Sequence, residues 1–396
     1  MGAVRLRNAT LLITHAELSS RHGVGALLLK IFAEDPALMV LYSVRLFDGQ
    51  SAGEVALHLP YSDESARPRL ADGLEPHQVE RIFCVPHVPD DARKALAAAE
   101  LTGARLMTTY LLDDQNLFFD GIPDLLMRTL VERSSLCLAG SSILQSGYEA
   151  KFGRPFGFLP PVNETRLFAP PDLAAPNNQP RRGVIIGNVW SARVLEELRA
   201  LIRTTGLPVD WFGNAGAPFI EIDPAELRAD GIELHRNLAD EPLVERLRGF
   251  DYGIMPSGRL GEDPELDWLF RASLPSRLVY MLTTAHLPLV VLGDPETAAG
   301  EFVARLGLGV TCPYEPAAFA EAVKQVTDPV LRSTIRDRAA RLSPLFASEP
   351  VAEWVWRSAE AGRPADDRYE PLVGQTWART SPRRAVFSGS QRRRFR

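Results

Sequence analysis

The chain has 396 residues, enough for two or three domains, each with its own core. Hydrophobic residues make up 45% and charged residues 24%, ordinary globular values that exclude a disordered, collagen-like or coiled-coil chain. The 50 acidic residues outnumber 44 basic ones, for a net charge of −6, and seven of the arginines lie within the acid-free stretch 376–396. The acidic body therefore excludes an extended nucleic-acid-binding face, which would need clustered Lys and Arg.

Cys84, Cys137 and Cys312 show neither CxxC nor Cys/His spacing, so no disulfide framework and no structural zinc is expected. The apolar run Leu11 to Thr14 is too short for the core of a signal peptide. No stretch approaches the ~18 apolar residues of a membrane span. These features predict a cytoplasmic protein, with the Arg-rich tail as a candidate for weak contact with anionic lipid at the inner membrane face.

In chain order, short apolar runs bounded by turn residues alternate with longer segments of helical periodicity. Strands are predicted at Thr10 to Thr14, Leu38 to Val44, Arg81 to Val85, Arg105 to Leu112 and Leu136 to Ala139. Helices are predicted between them, at about 24–34, 90–101, 121–133 and 142–152. That alternation is the signature of parallel βαβ units, and it predicts a doubly wound sheet over residues 1–160. Residues 161–182 are proline-rich and without period, which suits an interdomain linker. A second series follows over 183–348. Its strands are predicted at Gly183 to Gly187, Pro208 to Phe212, Ile232 to Leu234, Asp251 to Met255, Leu287 to Leu292 and Gly309 to Thr311. The fold class is thus α/β, two Rossmann-like domains facing across a cleft. A Trp-bearing helix at 349–362 follows, and 363–396 reads as a flexible Arg-rich tail.

In open parallel sheets, ligands bind beyond the carboxyl ends of the strands, so the loops after strands carry the candidates. After the first strand, His15 and Glu17 crowd one loop with Arg21 and His22, and Gly23 and Gly25 open the next helix, where bare backbone amides suit an anion. A tight turn without a ligand explains the same glycines. The third glycine of a dinucleotide fingerprint is replaced by Leu28. Asp113 and Asp114 follow a later strand and suit either acid/base work or a helix cap. In the second half, Asn188 and Arg193 flank a helix start at Ser191, where a diphosphate or plain solvent could meet the Arg. Ser257 ends a strand, and Ser276 with Arg277 opens a helix in a pattern suited to an anionic nucleotide. The acidic loop 262–267 lacks calcium-loop spacing and suits solvent.

Taken together, the hinge Leu-Pro-Pro-Val-Asn-Glu-Thr-Arg-Leu-Phe at 159–168, the Pro-Ser strand end at 256–257, and Pro-Ser-Arg-Leu-Val-Tyr-Met-Leu followed by Leu-Pro-Leu-Val-Val over 275–291 resemble glycosyltransferases of the GT-B fold. The resemblance implies transfer of a sugar from a nucleoside diphosphate donor held by the second domain to a glycan or lipid-linked acceptor held by the first, in bacterial surface glycan synthesis. It also implies no metal, no cofactor beyond the substrate, and a C-terminal helix that crosses back to the first domain. The donor side would be Gly23, Gly25, Asn188, Arg193, Ser257, Ser276 and Arg277; an inverting route would take its base from Asp113, Asp114, Glu17 or His15. Two positions depart from the family pattern: Val279 stands where a ribose-gripping Glu is common, and His286 where a Gly precedes the last motif strand. The alternatives are a nucleotide-sugar epimerase of the same shape and a non-catalytic GT-B scaffold.

Overall fold

The computed structural model describes residues 5–20, 23–46, 51–61, 66–189, 191–213, 220, 222–261 and 267–373. Arg21, His22, the acidic residues 262–266 and the arginines of 376–396 lie outside the described residues. The first half forms seven parallel strands: β1 (Ala9–Ala16), β2 (Leu38–Val44), β3 (Val55–His58), β4 (Val79–Cys84), β5 (Leu106–Leu111), β6 (Leu136–Ala139) and β7 (Gly157–Phe158). Their order is β3-β2-β1-β4-β5-β6-β7. The second half forms six: β8 (Gly183–Ile186), β9 (Val209–Phe212), β10 (Ile232–His235), β11 (Tyr252–Pro256), β12 (Leu289–Leu292) and β13 (Gly309–Cys312), in the order β10-β9-β8-β11-β12-β13, again all parallel. The architecture is the expected α/β pair of doubly wound sheets.

Strand residues alternate between two apolar faces, as a sheet covered on both sides requires. Leu11 and Ile13 join Ile82, Met107 and Leu111 under the helices of one face, while Leu12 joins Phe83 and Tyr110 on the other. That second face belongs to a core that continues through Leu159 and Val162 to Val184, Met255 and Val291 of the second sheet. The helix Val351–Ala361 closes it: the Trp356 ring lies 6.0 Å from Phe32 and 6.3 Å from Phe83, all three from different elements. Each such aromatic or aliphatic side chain stabilises the fold by ~1.5–3 kcal/mol on burial.

Strand β3 and the helix Ala66–Leu74 carry no periodic signal. β3 is an edge strand only partly covered, and the helix buries just Leu70 and Leu74 among Arg, Pro, Asp and Gly. The tail boundary is also corrected. Residues 363–373 are packed, because Arg368 pairs with Asp366, Asp366 accepts from the Trp354 indole at 3.1 Å, and Tyr369 and Leu372 are buried in the shared core.

The proline-rich segment is tied down by arginines. Prolines remove N–H donors but leave carbonyls that need partners. Arg248 donates to Phe168 O, Arg336 to Leu173 O at 2.7 Å, and Arg332 to Pro176 O at 2.9 Å. Arg336 and Arg248 also flank His286, which ends the helix Ser276–Ala285 with φ +50. Burial, and then those two cations, push its ring from an ordinary 6.5 down to about 4. The ring is thus neutral in the fold over a range where the unfolded chain protonates it, so stability falls as pH drops from 6.5 towards 4. Asn tolerates the left-handed backbone without titrating. In urea unfolding, His286→Asn should therefore lose less stability than the wild type across this range, the difference being on the order of 2–3 kcal/mol.

Candidate functional site

Strand order reverses between β1 and β4 in the first sheet and between β8 and β11 in the second. At such a point the connections leave in opposite directions and open a crevice at the carboxyl ends. The second crevice is lined by cations. Arg277, in the first turn of the helix Ser276–Ala285, donates through Nη1 to Asn188 O at 2.5 Å and Ile186 O at 3.3 Å, across the end of β8. Gly187 between those carbonyls has φ +76, and a Cβ on Gly213 at the end of β9 would sit 2.3 Å from Gly187 O, so both strand ends stay bare of side chains. Loss of water pushes the Arg277 guanidinium down to about 10, and among the described residues no carboxylate pairs with it.

Two further arginines stand close by. Arg259, which the sequence reading passed over, lies 5.5 Å over the Tyr314 ring, whose hydroxyl donates to Ser257 O at 2.8 Å. Burial raises the Tyr314 hydroxyl, while both Arg259 and Arg277 act on it in the opposite sense. Glu197 is shared between Arg193 at 3.3 Å and Arg259 at 3.7 Å. Asn188, Arg193, Ser257 and Arg277 are thus gathered at one end of the second sheet, with Ser276 exposed beside Arg277 at the helix start.

The first crevice holds an imidazole pair. His15 at the end of β1 is 4.9 Å from the ring of His87, which follows β4, and its Nδ1 meets the Tyr61 hydroxyl. One helix turn steadies both neighbours. In the helix Pro89–Thr102, Asp91 accepts from the amides of His87 (3.0 Å) and Val88 (3.1 Å). Lys94, buried one turn on, donates to Leu59 O at 2.5 Å and Ser43 Oγ at 2.7 Å, pinning the segment that carries Tyr61. Neither His87 nor Tyr61 was read from sequence; the signal available was a His three residues past the end of β4, inside Pro86-His87-Val88-Pro89.

Two of the four acid/base candidates have another task. Asp114 is fully buried and accepts from the amides of Asn116, Leu117, Phe118 and Phe119 at 2.6–3.1 Å and from the Tyr148 hydroxyl, so it builds the loop rather than meeting a substrate. Glu17, also fully buried, takes the Leu46 amide on both oxygens at 2.9 and 2.8 Å. His15 and Asp113 are partly exposed at strand ends. Gly25 has a packing reason to be bare: a Cβ there would lie 2.5 Å from Ser19 O, so the glycine seats the preceding loop. Gly23 is exposed with open space around it.

The loops at the carboxyl ends of the two sheets meet. Phe119 stacks on Trp268 with centroids 4.7 Å apart, Ser141 Oγ donates to Ala272 O at 2.5 Å, and Arg305 reaches Ser142 Oγ at 3.3 Å. On the hinge side, Lys30 donates to Asn163 Oδ1 at 2.7 Å, and Asn163 donates to Thr283 Oγ1 at 2.8 Å.

No family model and no curated protein matches the chain by sequence. Solved structures do match it. HepE of Anabaena, in complex with UDP-glucose, is 12% identical with a TM-score of 0.62 over 89% of this chain and 99% of that one. MurG of Acinetobacter baumannii is 12% identical, TM-score 0.53, over 89% and 99%. A UDP-N-acetylglucosamine 2-epimerase is 10% identical, TM-score 0.51, over 89% and 95%. The chain has the GT-B fold.

Within this GT-B fold, Val279 is buried in the shared core with Leu278, Met281, Leu282 and Ala285 of the same helix, so position 279 is a packing residue. Among the described residues, no three His, Cys, Asp or Glu side chains gather as metal ligands do, and no helix is long and apolar enough to cross a membrane. The two adjacent aspartates should separate cleanly in unfolding experiments. Asp114→Ala leaves four amides without their acceptor and should cost about 2–4 kcal/mol, whereas Asp113→Ala, at a partly exposed position, should change stability by about 0.5 kcal/mol or less.

Proposed function

We propose that the chain is a glycosyltransferase that moves a sugar from a nucleoside diphosphate donor to a hydroxyl of a glycan or lipid-linked acceptor, in the synthesis of bacterial surface glycans. The observation that carries the reading is Arg277, a guanidinium at the strand-order reversal of the second sheet, bonded to carbonyls and paired with no carboxylate among the described residues. Such a group attracts an anion. Breaking the anomeric C–O bond gathers negative charge on the departing diphosphate, so a fixed cation there stabilises the transition state more than the ground state. Arg193 and Arg259 add charge on the same side, Asn188, Ser257 and Ser276 line it, and Gly23 faces it from the first domain in this reading. The positive charge comes from guanidinium groups, so a chelator should leave turnover unchanged.

On the acceptor side, His15 is the base of choice and Asp113 the second. His15 stands at the end of the central strand β1, and Glu17 and Asp114 are committed to backbone amides. A base acting on the acceptor hydroxyl suits a single displacement from the face opposite the diphosphate, which inverts the anomeric carbon. HepE with its UDP-glucose supports a uridine donor. The epimerase neighbour shares the fold, so the fold alone does not separate the two activities.

Three outcomes test the reading. Among UDP, GDP, ADP, CMP and TDP, at least one should raise the melting temperature by several degrees, because a ligand of the folded state stabilises it. Arg277→Ala should weaken that ligand roughly 10–100-fold, as expected for loss of one charge-assisted contact. Incubated with a nucleotide sugar alone, the protein should yield slow hydrolysis at most; interconversion of two nucleotide sugars would establish the epimerase instead.

A further inference from the structure

His15 is not the only ring at the first crevice. His87 is exposed, its backbone amide is fixed by Asp91, and its ring lies 4.9 Å from that of His15. Its Nδ1 is 3.2 Å from Gln115 Nε2. An amide nitrogen can only donate, so the Nδ1 of His87 accepts and its ring proton resides on Nε2. Gln115 is buried and its backbone is fixed at both groups: its main-chain N–H donates to the Tyr148 hydroxyl at 3.2 Å and its main-chain carbonyl accepts from the Ile122 amide at 2.8 Å. The side chain that this backbone carries bonds His87 through Nε2, and that bond sets the tautomer of the ring.

We infer that His87 is a second substrate-contacting histidine, donating a hydrogen bond from Nε2–H to a sugar hydroxyl oxygen, with Gln115 as the residue that holds it in the donating form. The purpose of the arrangement rests on the transferase reading. One hydroxyl has a proton to give and lone pairs to offer. Two rings this close suit both halves: the acceptor hydroxyl gives its proton to His15 and accepts from His87 Nε2–H, at ~3 Å from each nitrogen. The hydroxyl oxygen then forms its bond to the anomeric carbon while the C–O bond to the diphosphate breaks and its electron pair leaves with the diphosphate; the proton stays on His15 until solvent removes it. His87 keeps its own proton throughout. It orients the nucleophile instead of activating it.

The test has two arms. In ¹⁵N spectra of histidine-labelled, ligand-free protein, with the His87 signals assigned by their loss in His87→Ala, Nδ1 should show as the unprotonated nitrogen, and Gln115→Glu, whose carboxylate accepts instead of donating, should move the proton to Nδ1. In turnover, His87→Ala should lower kcat/KM for the acceptor about 100-fold, and His87→Gln, whose amide nitrogen stands near the place of Nε2, should recover most of it; His15→Gln should show no such recovery. A proton found on Nδ1 in the wild type overturns the inference, as does an His87→Ala variant with unchanged acceptor kinetics. A protein with the expected spectrum and no transfer activity would end the transferase reading while leaving the nitrogen assignment standing.

Discussion

Arg277 binds the start of the helix Ser276–Ala285 to the carbonyls at the end of β8, and the second crevice depends on that tie. Carbonyl dipoles replace part of the water that a guanidinium gives up, but they carry no net charge. The result is a cation that is structurally satisfied and electrostatically unfinished. Its neighbours keep the imbalance: Glu197 is divided between Arg193 and Arg259, and Tyr314 contributes a ring face and a hydroxyl donated to Ser257. The bare strand ends at Gly187 and Gly213 let backbone lie where side chains would otherwise fill the crevice.

The same logic of supplying partners to stranded backbone donors and acceptors runs through the rest of the molecule. Arginines 248, 332 and 336 bond to the carbonyls of the proline-rich segment, Asp91 and Asp114 gather loop amides, and Lys94 holds the carbonyl of Leu59. The loops are therefore held by buried and half-buried charges rather than by sheet or helix ladders. One continuous core links the sheets, with Trp356 of the returning helix set against Phe32 and Phe83. Lys30, Asn163 and Thr283 form a polar chain from the first domain through the hinge to the second. Burial lowers the Lys30 ammonium, countered by Asp240 and Glu164, so this link sits in a dry setting where its bonds are strong.

How much of this was legible depended on whether the signal was local. β12 is an unbroken apolar run and β2 is interrupted only by Ser43, because both faces of each sheet are covered, and helix starts at Ser141 and Ser191 carry their own caps. The edge strand β3 and the helix Ala66–Leu74 lack periodicity because they bury so little. The gathering of Asn188, Arg193, Ser257 and Arg277 was readable since each follows or faces a strand end in a known topology. Asp114 and Glu17 were not: a carboxylate beside a strand looks the same on paper whether it meets a substrate or four amides of its own loop. His87 and Tyr61 acquire meaning only through β1, which packs beside β4 although more than 60 residues separate the two segments.

The most direct measurement is a crystal structure with a bound nucleoside diphosphate, UDP first. The account predicts diphosphate oxygens about 3 Å from the Arg277 guanidinium, beyond the end of β8, with the base further along the second sheet. A nucleotide seated beyond β1 and β4 instead, with Arg277 still bonded only to Ile186 and Asn188, would contradict it.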